Sequence, residues 1–280
     1  MMTVKWLIEK YDTDVEPLIL EVNNQNIENK VVKYNPWDRK TSDHFPKEDC
    51  VIFYGTLDYA RQLQQETLWV PGTYCNFNNL NCNVYYSYWG KYLLNSDYKM
   101  LPFMELKRQC NSIYYDFGRE YNKIFMRPNS GSKVFTGQVV DKDEFDNVFK
   151  EFEEYYNTIL DNMIVVVSCY RPIEIEWRFV VTDRKVITGS QYIKWDNVDV
   201  KEGYDDGAKK LADKIASEKW QPERTYTLDI CKTHNSENYY LLEANSFSCA
   251  GLYKCDMQTV VKEVSKTALK EWQDYYEFRI

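Results

Sequence analysis

Thr225-Tyr226-Thr227-Leu228-Asp229-Ile230-Cys231 and, after the polar turn Thr233-His234-Asn235-Ser236-Glu237, Tyr239-Tyr240-Leu241-Leu242-Glu243-Ala244 are two apolar, β-prone runs, each interrupted by one acid. Both predict strands. Strand side chains alternate, so Tyr226, Leu228 and Ile230 share one face, Thr227 and Asp229 share the other, and Glu243 falls on the same face as Asn245. If the two strands pair as a hairpin, two carboxylates and an amide oxygen converge. Oxygen donors with excess negative charge suit a hard cation such as magnesium, with further positions open to phosphate oxygens and water. A solvated sheet face is the plainer reading, and acids set into otherwise apolar strands weigh against it.

Upstream, Glu174-Ile175-Glu176-Trp177-Arg178-Phe179-Val180-Val181 carries an arginine inside an apolar run. A guanidinium there is costly unless paired, and Glu176 on the same face is a structural partner for it. Ile124-Phe125-Met126-Arg127-Pro128 predicts a strand stopped by proline, followed by the loop Asn129-Ser130-Gly131-Ser132-Lys133-Val134-Phe135-Thr136-Gly137 and a returning strand, Gln138-Val139-Val140. Small residues let backbone N–H groups approach an anion, and Lys133 adds a charge. The loop reads either as a flexible lid over a nucleotide or as an ordinary hairpin turn. It is neither a Walker A loop nor a GxGxxG fingerprint. On the functional reading, Arg127, Lys133 and Arg178 neutralise a polyphosphate opposite the acids.

Residues 4–8 and 50–54 predict buried strands, and Tyr59 to Glu66 a helix after Gly55-Thr56, so the first hundred residues read as α/β. Further helices are expected over Asp143–Tyr156, Tyr204–Trp220 and Met257–Tyr275, and further strands over Met163–Val167, Ile175–Val181 and Lys185–Gly189. Thr67 to Gly90, 24 residues without a Lys, Arg, Asp or Glu, read as irregular structure with turns, either a face that meets a ligand or partner or a Tyr-rich packing surface. Its asparagines and Pro71-Gly72 exclude a membrane span.

With 280 residues, 44% of them hydrophobic, the chain can bury a substantial core as one large or two modest domains. A net charge of −8 leaves no sequence-independent grip on nucleic acid or an anionic membrane. The eight cysteines lack CxxC spacing and the first ten residues lack an apolar leader, so free thiols in the cytoplasm are expected. His44 and His234, the only histidines, lie in polar loops and give no histidine-centred triad or zinc site.

The order of these pieces, from Ile124-Phe125-Met126-Arg127-Pro128 through Glu176-Trp177-Arg178-Phe179 and Asp229 to Leu242-Glu243-Ala244-Asn245, resembles the ATP-grasp superfamily of carboxylate–amine ligases, most closely a phage-associated clade. The likeness spans about residues 123–256. It implies an α+β fold in which two α+β subdomains enclose ATP, preceded by an N-terminal α/β domain, with the boundary placed between 1–110 and 111–280. By that resemblance Arg127 replaces the usual lysine at the α-phosphate, and Ser130, Gly131, Ser132, Lys133, Phe135 and Thr136 cover the phosphates. Val165 to Ser168, including Val166, Val167 and Ser168, would be the linker beside adenine, offering it backbone hydrogen bonds. Asp229, Glu243 and Asn245 hold magnesium, and Arg178 and Lys133 act on the transferring phosphoryl group, Thr227 standing where D-alanine ligases carry an arginine. The implied activity joins a carboxylate to an amine through an acyl phosphate, on an amino acid, peptide or protein, at the expense of ATP. A non-catalytic ATP sensor and a phosphotransferase of the same fold are the alternatives. Oligomeric state is left open.

Overall fold

The computed structural model describes residues 3–11, 15–35, 37, 44–156, 160–234 and 236–277. By contacts the chain divides into two units, residues 1–76 with 173–280, and residues 77–172.

The first unit opens with β1 (Val4–Glu9), α1 (Glu16–Asn24), β2 (Glu28–Val32), β3 (Cys50–Tyr54), α2 (Leu57–Glu66) and β4 (Val70–Thr73). The four strands form a parallel sheet in the order β2-β1-β3-β4. All five residues of β3 are buried, as expected of a central parallel strand whose two faces are both covered. β4 lies at the sheet's edge, where Pro71 is tolerated.

The second unit contains α3 (Cys82–Trp89), β5 (Tyr98–Pro102), α4 (Phe103–Arg108), α5 (Cys110–Phe117), β6 (Lys123–Pro128), β7 (Gln138–Asp141), α6 (Phe145–Tyr155) and β8 (Ile164–Cys169). Its sheet is antiparallel, in the order β5-β8-β6-β7. Alternation in β6 sends Ile124 and Met126 into a core shared with Phe103, Phe149 and Phe152, and leaves Phe125 and Arg127 half-buried on the opposite face. The stretch read as irregular therefore holds a strand, β4, and a helix, α3. Its lack of charge reflects burial of Tyr85, Tyr86 and Trp89 on the helix.

The first unit resumes with β9 (Ile173–Thr182), β10 (Lys185–Lys194), β11 (Asn197–Glu202), α7 (Asp206–Ser217), β12 (Thr225–Thr233), β13 (Tyr239–Ser246) and α8 (Met257–Glu277). These five strands form an antiparallel sheet in the order β11-β10-β9-β12-β13. α7 packs on the sheet through Ala208, Ala212 and Ile215. α8 joins Val180 of β9 to the parallel strands in one core containing Trp6, Ile52, Phe247, Val260 and Val264. Two polar links lock that core: Trp6 Nε1 donates to Ser265 Oγ at 3.0 Å, and Tyr54 Oη to the Ala250 carbonyl at 2.6 Å. Ser248 Oγ donates to the Phe53 carbonyl at 2.6 Å, which seats the Phe247–Gly251 loop on the end of β3.

Among the described residues, no helix is long and apolar enough to cross a membrane. All eight cysteines are free thiols.

Candidate functional site

Sheet register assembles the polar face of the first unit. Arg178 on β9 pairs with Asp229 on β12, and Asp229 pairs with Glu243 on β13, so three charged residues form one row across three strands. Next to that row a β-bulge moves the pairing from Asp229↔Glu243 to Ile230↔Leu241, leaving Leu242 as the additional residue. The bulge reverses the side-chain alternation. Leu241 can therefore lie in the core while Glu243 and Asn245 stay beside Asp229.

Asp229 is fully buried and accepts from Arg178 Nε and Nη2, both at 2.7 Å. This bidentate pair is what makes a charged row tolerable in an apolar sheet. Burial alone would weaken the Arg178 charge, and Asp229 more than offsets it, raising the guanidinium well above its ordinary pKa. Arg178 Nη1 also donates to the Gly251 carbonyl at 3.1 Å, and the guanidinium lies 5.3 and 5.2 Å from the stacked rings of Tyr192 and Tyr253. Glu176, expected to pair with Arg178, instead accepts the Tyr192 hydroxyl. The correction follows from register: Asp229 is directly opposite Arg178, whereas Glu176 is two residues along the same strand. Burial pushes the Glu176 carboxyl up to about 7; the Tyr192 hydrogen bond opposes the shift, and Asp229 and Glu243 add to it.

Asn245 Nδ2 donates to Asp229 Oδ2 at 3.1 Å and to Glu243 Oε1 at 2.8 Å, so the two acids converge on one amide. Asn245 Oδ1 and, on the facing residue, Thr227 Oγ1 are buried without a hydrogen-bond partner. Among the described residues, no three of His, Cys, Asp and Glu gather as a metal cluster. The donor set is two carboxylates and an amide, all oxygen and net negative. With orphaned oxygens beside them, these residues fit magnesium.

In the second unit, β6 and β7 flank the 129–137 loop. The loop is not a free lid. Asn129 is fixed to β8 by its N–H on the Ile164 carbonyl at 2.9 Å, and the Ser130 carbonyl accepts the Lys133 N–H at 3.2 Å. Lys133 and Thr136 are exposed, Ser130, Gly131 and Ser132 half-buried, and Lys133 holds a left-handed φ of 48°. A cavity of about 370 Å³ opens at the loop's base between Asn81, Ser130, Val134, Met163 and Ile164. Phe135, expected over phosphates, is a core residue whose ring meets Phe152 at 4.8 Å, because the loop's one large apolar ring is worth more buried. Val166, Val167 and Ser168 also depart from expectation. They lie within an inner strand laddered to β5 and β6 on both sides, so their backbone groups are already committed.

The sequence reading missed Tyr192 and Tyr253, which flank Arg178, and Asn81 and Asn83, which touch the loop. The tyrosines carried no local signal; the asparagines belonged to a stretch whose lack of charge was noted but whose individual amides were given no role.

A sequence profile described as an ATP-grasp domain, the second family of its clade, matches residues 107–263. Among curated proteins, none matches the sequence. Solved structures resemble it at low identity. D-cycloserine synthetase DcsG has a TM-score of 0.65 at 10% identity, over 95% of this chain and 99% of that one. D-alanine–D-alanine ligase from Bacillus anthracis has 0.60 at 14%, over 98% and 100%. The ATP-grasp ligase PsnB, complexed with a minimal precursor, has 0.55 at 12%, over 96% and 100%. At these identities the likeness is one of fold, and the fold is ATP-grasp.

Proposed function

Because this chain belongs to that ATP-grasp domain family, we propose that it is an ATP- and magnesium-dependent ligase, joining a carboxylate to an amine through an acyl phosphate and releasing ADP. The substrate class is an amino acid, peptide or protein. One observation carries the reading: a row of buried Arg178, buried Asp229 and half-buried Glu243 in which Asn245 bridges both acids. Asp229, Glu243 and Asn245 would hold magnesium, which would supply charge neutralisation at phosphate oxygens. Residues 111–280 form the ATP-grasp domain, and residues 1–110 the α/β domain that contributes to substrate binding.

The chain's own groups do the positioning that phosphoryl transfer needs. Asp229 and the two tyrosine rings fix the Arg178 guanidinium, whose charge faces the transferring group. Arg127, half-buried on the face of β6 opposite the core, takes the place of the usual lysine. The Gly131, Ser132 and Lys133 N–H groups are held by Asn81 and Ser130, which shapes the loop so that the Ser130 and Thr136 hydroxyls and the Lys133 ammonium are offered to phosphates.

The test is the thermal midpoint with and without ATP and magnesium, then ADP release on the same sample with pooled amino acids and peptides. Stabilisation with acceptor-dependent ADP release is expected. Stabilisation without ADP release from any acceptor would favour a nucleotide-binding module, and no stabilisation would overturn the reading. Glu243→Gln should keep nucleotide-induced stabilisation while losing ADP release about a hundredfold or more, as expected when transition-state charge loses a stabilising group. Unchanged release would remove Glu243 from the metal set.

A further inference from the structure

α3 begins at Cys82 with Asn81 as its N-cap residue, yet the Asn81 side chain makes no capping hydrogen bond to its own helix. Asparagine is among the preferred N-caps because its oxygen can satisfy the unpaired N–H groups of the first turn. Here the oxygen is used elsewhere: Asn81 Oδ1 accepts the Gly131 N–H at 3.0 Å, fifty residues away. The orphan donors of α3 are satisfied from the loop instead. The Cys82 N–H donates to the Asn129 carbonyl at 2.8 Å, and the Asn83 N–H to Asn129 Oδ1 at 2.8 Å. Asn129 Nδ2 completes the exchange by donating to Asn83 Oδ1 at 3.0 Å. Helix and loop cap each other.

The contact is also close. A Cβ built on Gly131 would stand 2.9 Å from Leu80 Cβ and 3.2 Å from the Leu80 carbonyl group, so only glycine lets the loop lie directly against residues 80–81. The same loop has just two glycines, Gly131 and Gly137. Its shape is therefore set by partners outside it rather than by freedom within it.

We propose that Asn81, Asn83 and Asn129 are positioning residues that hold residues 129–131 in the conformation that receives nucleotide phosphates. This rests on the ligase reading for the identity of the ligand. The hydrogen-bond exchange itself stands on the geometry alone. It assigns a role to the uncharged, asparagine-rich segment, which the chemistry of the acid row leaves unexplained. None of the three touches the reacting atoms; each acts through the loop backbone.

The experiment uses the full chain and two readouts. Amide hydrogen exchange of the peptide spanning 129–135 is followed by mass spectrometry without nucleotide, and ATP affinity is measured by titration calorimetry with magnesium present. Asn81→Ala is expected to speed exchange in that peptide and to weaken ATP binding about tenfold, the equivalent of one backbone hydrogen bond at about 1.4 kcal/mol. Asn81→Asp keeps an acceptor oxygen and should keep the exchange protection, a rescue that loss of packing alone would not produce. Asn129→Ala removes the clamp from the loop's side and serves as the second variant should Asn81→Ala fail to fold. Slow exchange in both alanine variants overturns the clamp, and faster exchange with unaltered ATP affinity overturns its positioning role. A wild-type chain that binds no ATP overturns the ligase reading and, with it, the assignment of the loop's ligand.

Discussion

The acid row on the five-stranded sheet and the clamped loop of the second unit place their groups by opposite means. The row uses full charges in a dry setting: Asp229 is wholly buried, and both its oxygens face the Arg178 guanidinium at 2.7 Å. The loop uses neutral amides at part-exposed positions, each bond between 2.8 and 3.0 Å. Low dielectric makes each partner in the row indispensable to the other. Near water the loop's bonds are individually weak. The row is thus suited to holding charge still, and the loop is held in place by several bonds that are singly weak.

The contrast breaks most visibly at Arg178. Arg178→Ala would leave Asp229 buried without its cation, and should cost about 3–5 kcal/mol of unfolding free energy in urea, the range for one half of a buried pair. Arg178→Met with Asp229→Leu should cost much less than the two single changes summed, because the strongly coupled partners leave together. A loss below about 1 kcal/mol for Arg178→Ala, the value for an exposed pair, would mean that the row is solvated and the contrast false.

A smaller effect tests the same dry setting through pH. Burial holds the Glu176 carboxyl at about 7 in the folded chain, against about 4.3 for a free glutamate. The folded state then keeps a proton that the unfolded state has released, so its contribution is fully present below about pH 4.3 and is lost as pH rises through 7. The loss is on the order of 4 kcal/mol. Glu176→Gln should flatten the fall in stability between about pH 4.5 and 7 and leave the variant more stable than wild type at pH 8. An unaltered slope, read from urea midpoints at several pH values, would place Glu176 in water.

The row was largely legible in the sequence and the loop's clamp was not, for reasons of range. Asp229, Glu243 and Asn245 declare themselves because polar residues in apolar strands obey a period of two. Even there, the Leu242 bulge escapes a strict alternation. The choice between Glu176 and Asp229 as partner of Arg178 depends on strand register, which no single strand encodes. Val166 to Ser168 were misjudged for a related reason: an apolar run does not say whether its backbone edges are taken. β2 and β11 were missed because Glu28–Val32 and Asn197–Glu202 are mostly exposed edge strands with little hydrophobic pattern. Asn81 reaches Gly131 across fifty residues, through an amide that would suit an ordinary helix cap equally well.

The smallest effect sharpens the other half of the comparison. Asn129 makes two side-chain bonds to Asn83, one from the Asn83 backbone N–H and one to its side-chain oxygen. Asn83→Ala removes only the second, so it should cost about 0.5–1 kcal/mol, while Asn129→Ala removes both and should cost about 1–2 kcal/mol. In the Asn129→Ala background the Asn83 side chain has already lost this partner. Its removal should then add no more than about 0.3 kcal/mol, within the scatter of independent sites. The cycle thus predicts a coupling severalfold smaller than that of Arg178 with Asp229, and of a different origin: shared hydrogen bonds rather than charge. It should also persist in high salt, since screening acts on charges and leaves neutral amides alone. Additive losses would mean that the two asparagines do not grip each other, and that the loop owes its shape to its own sequence.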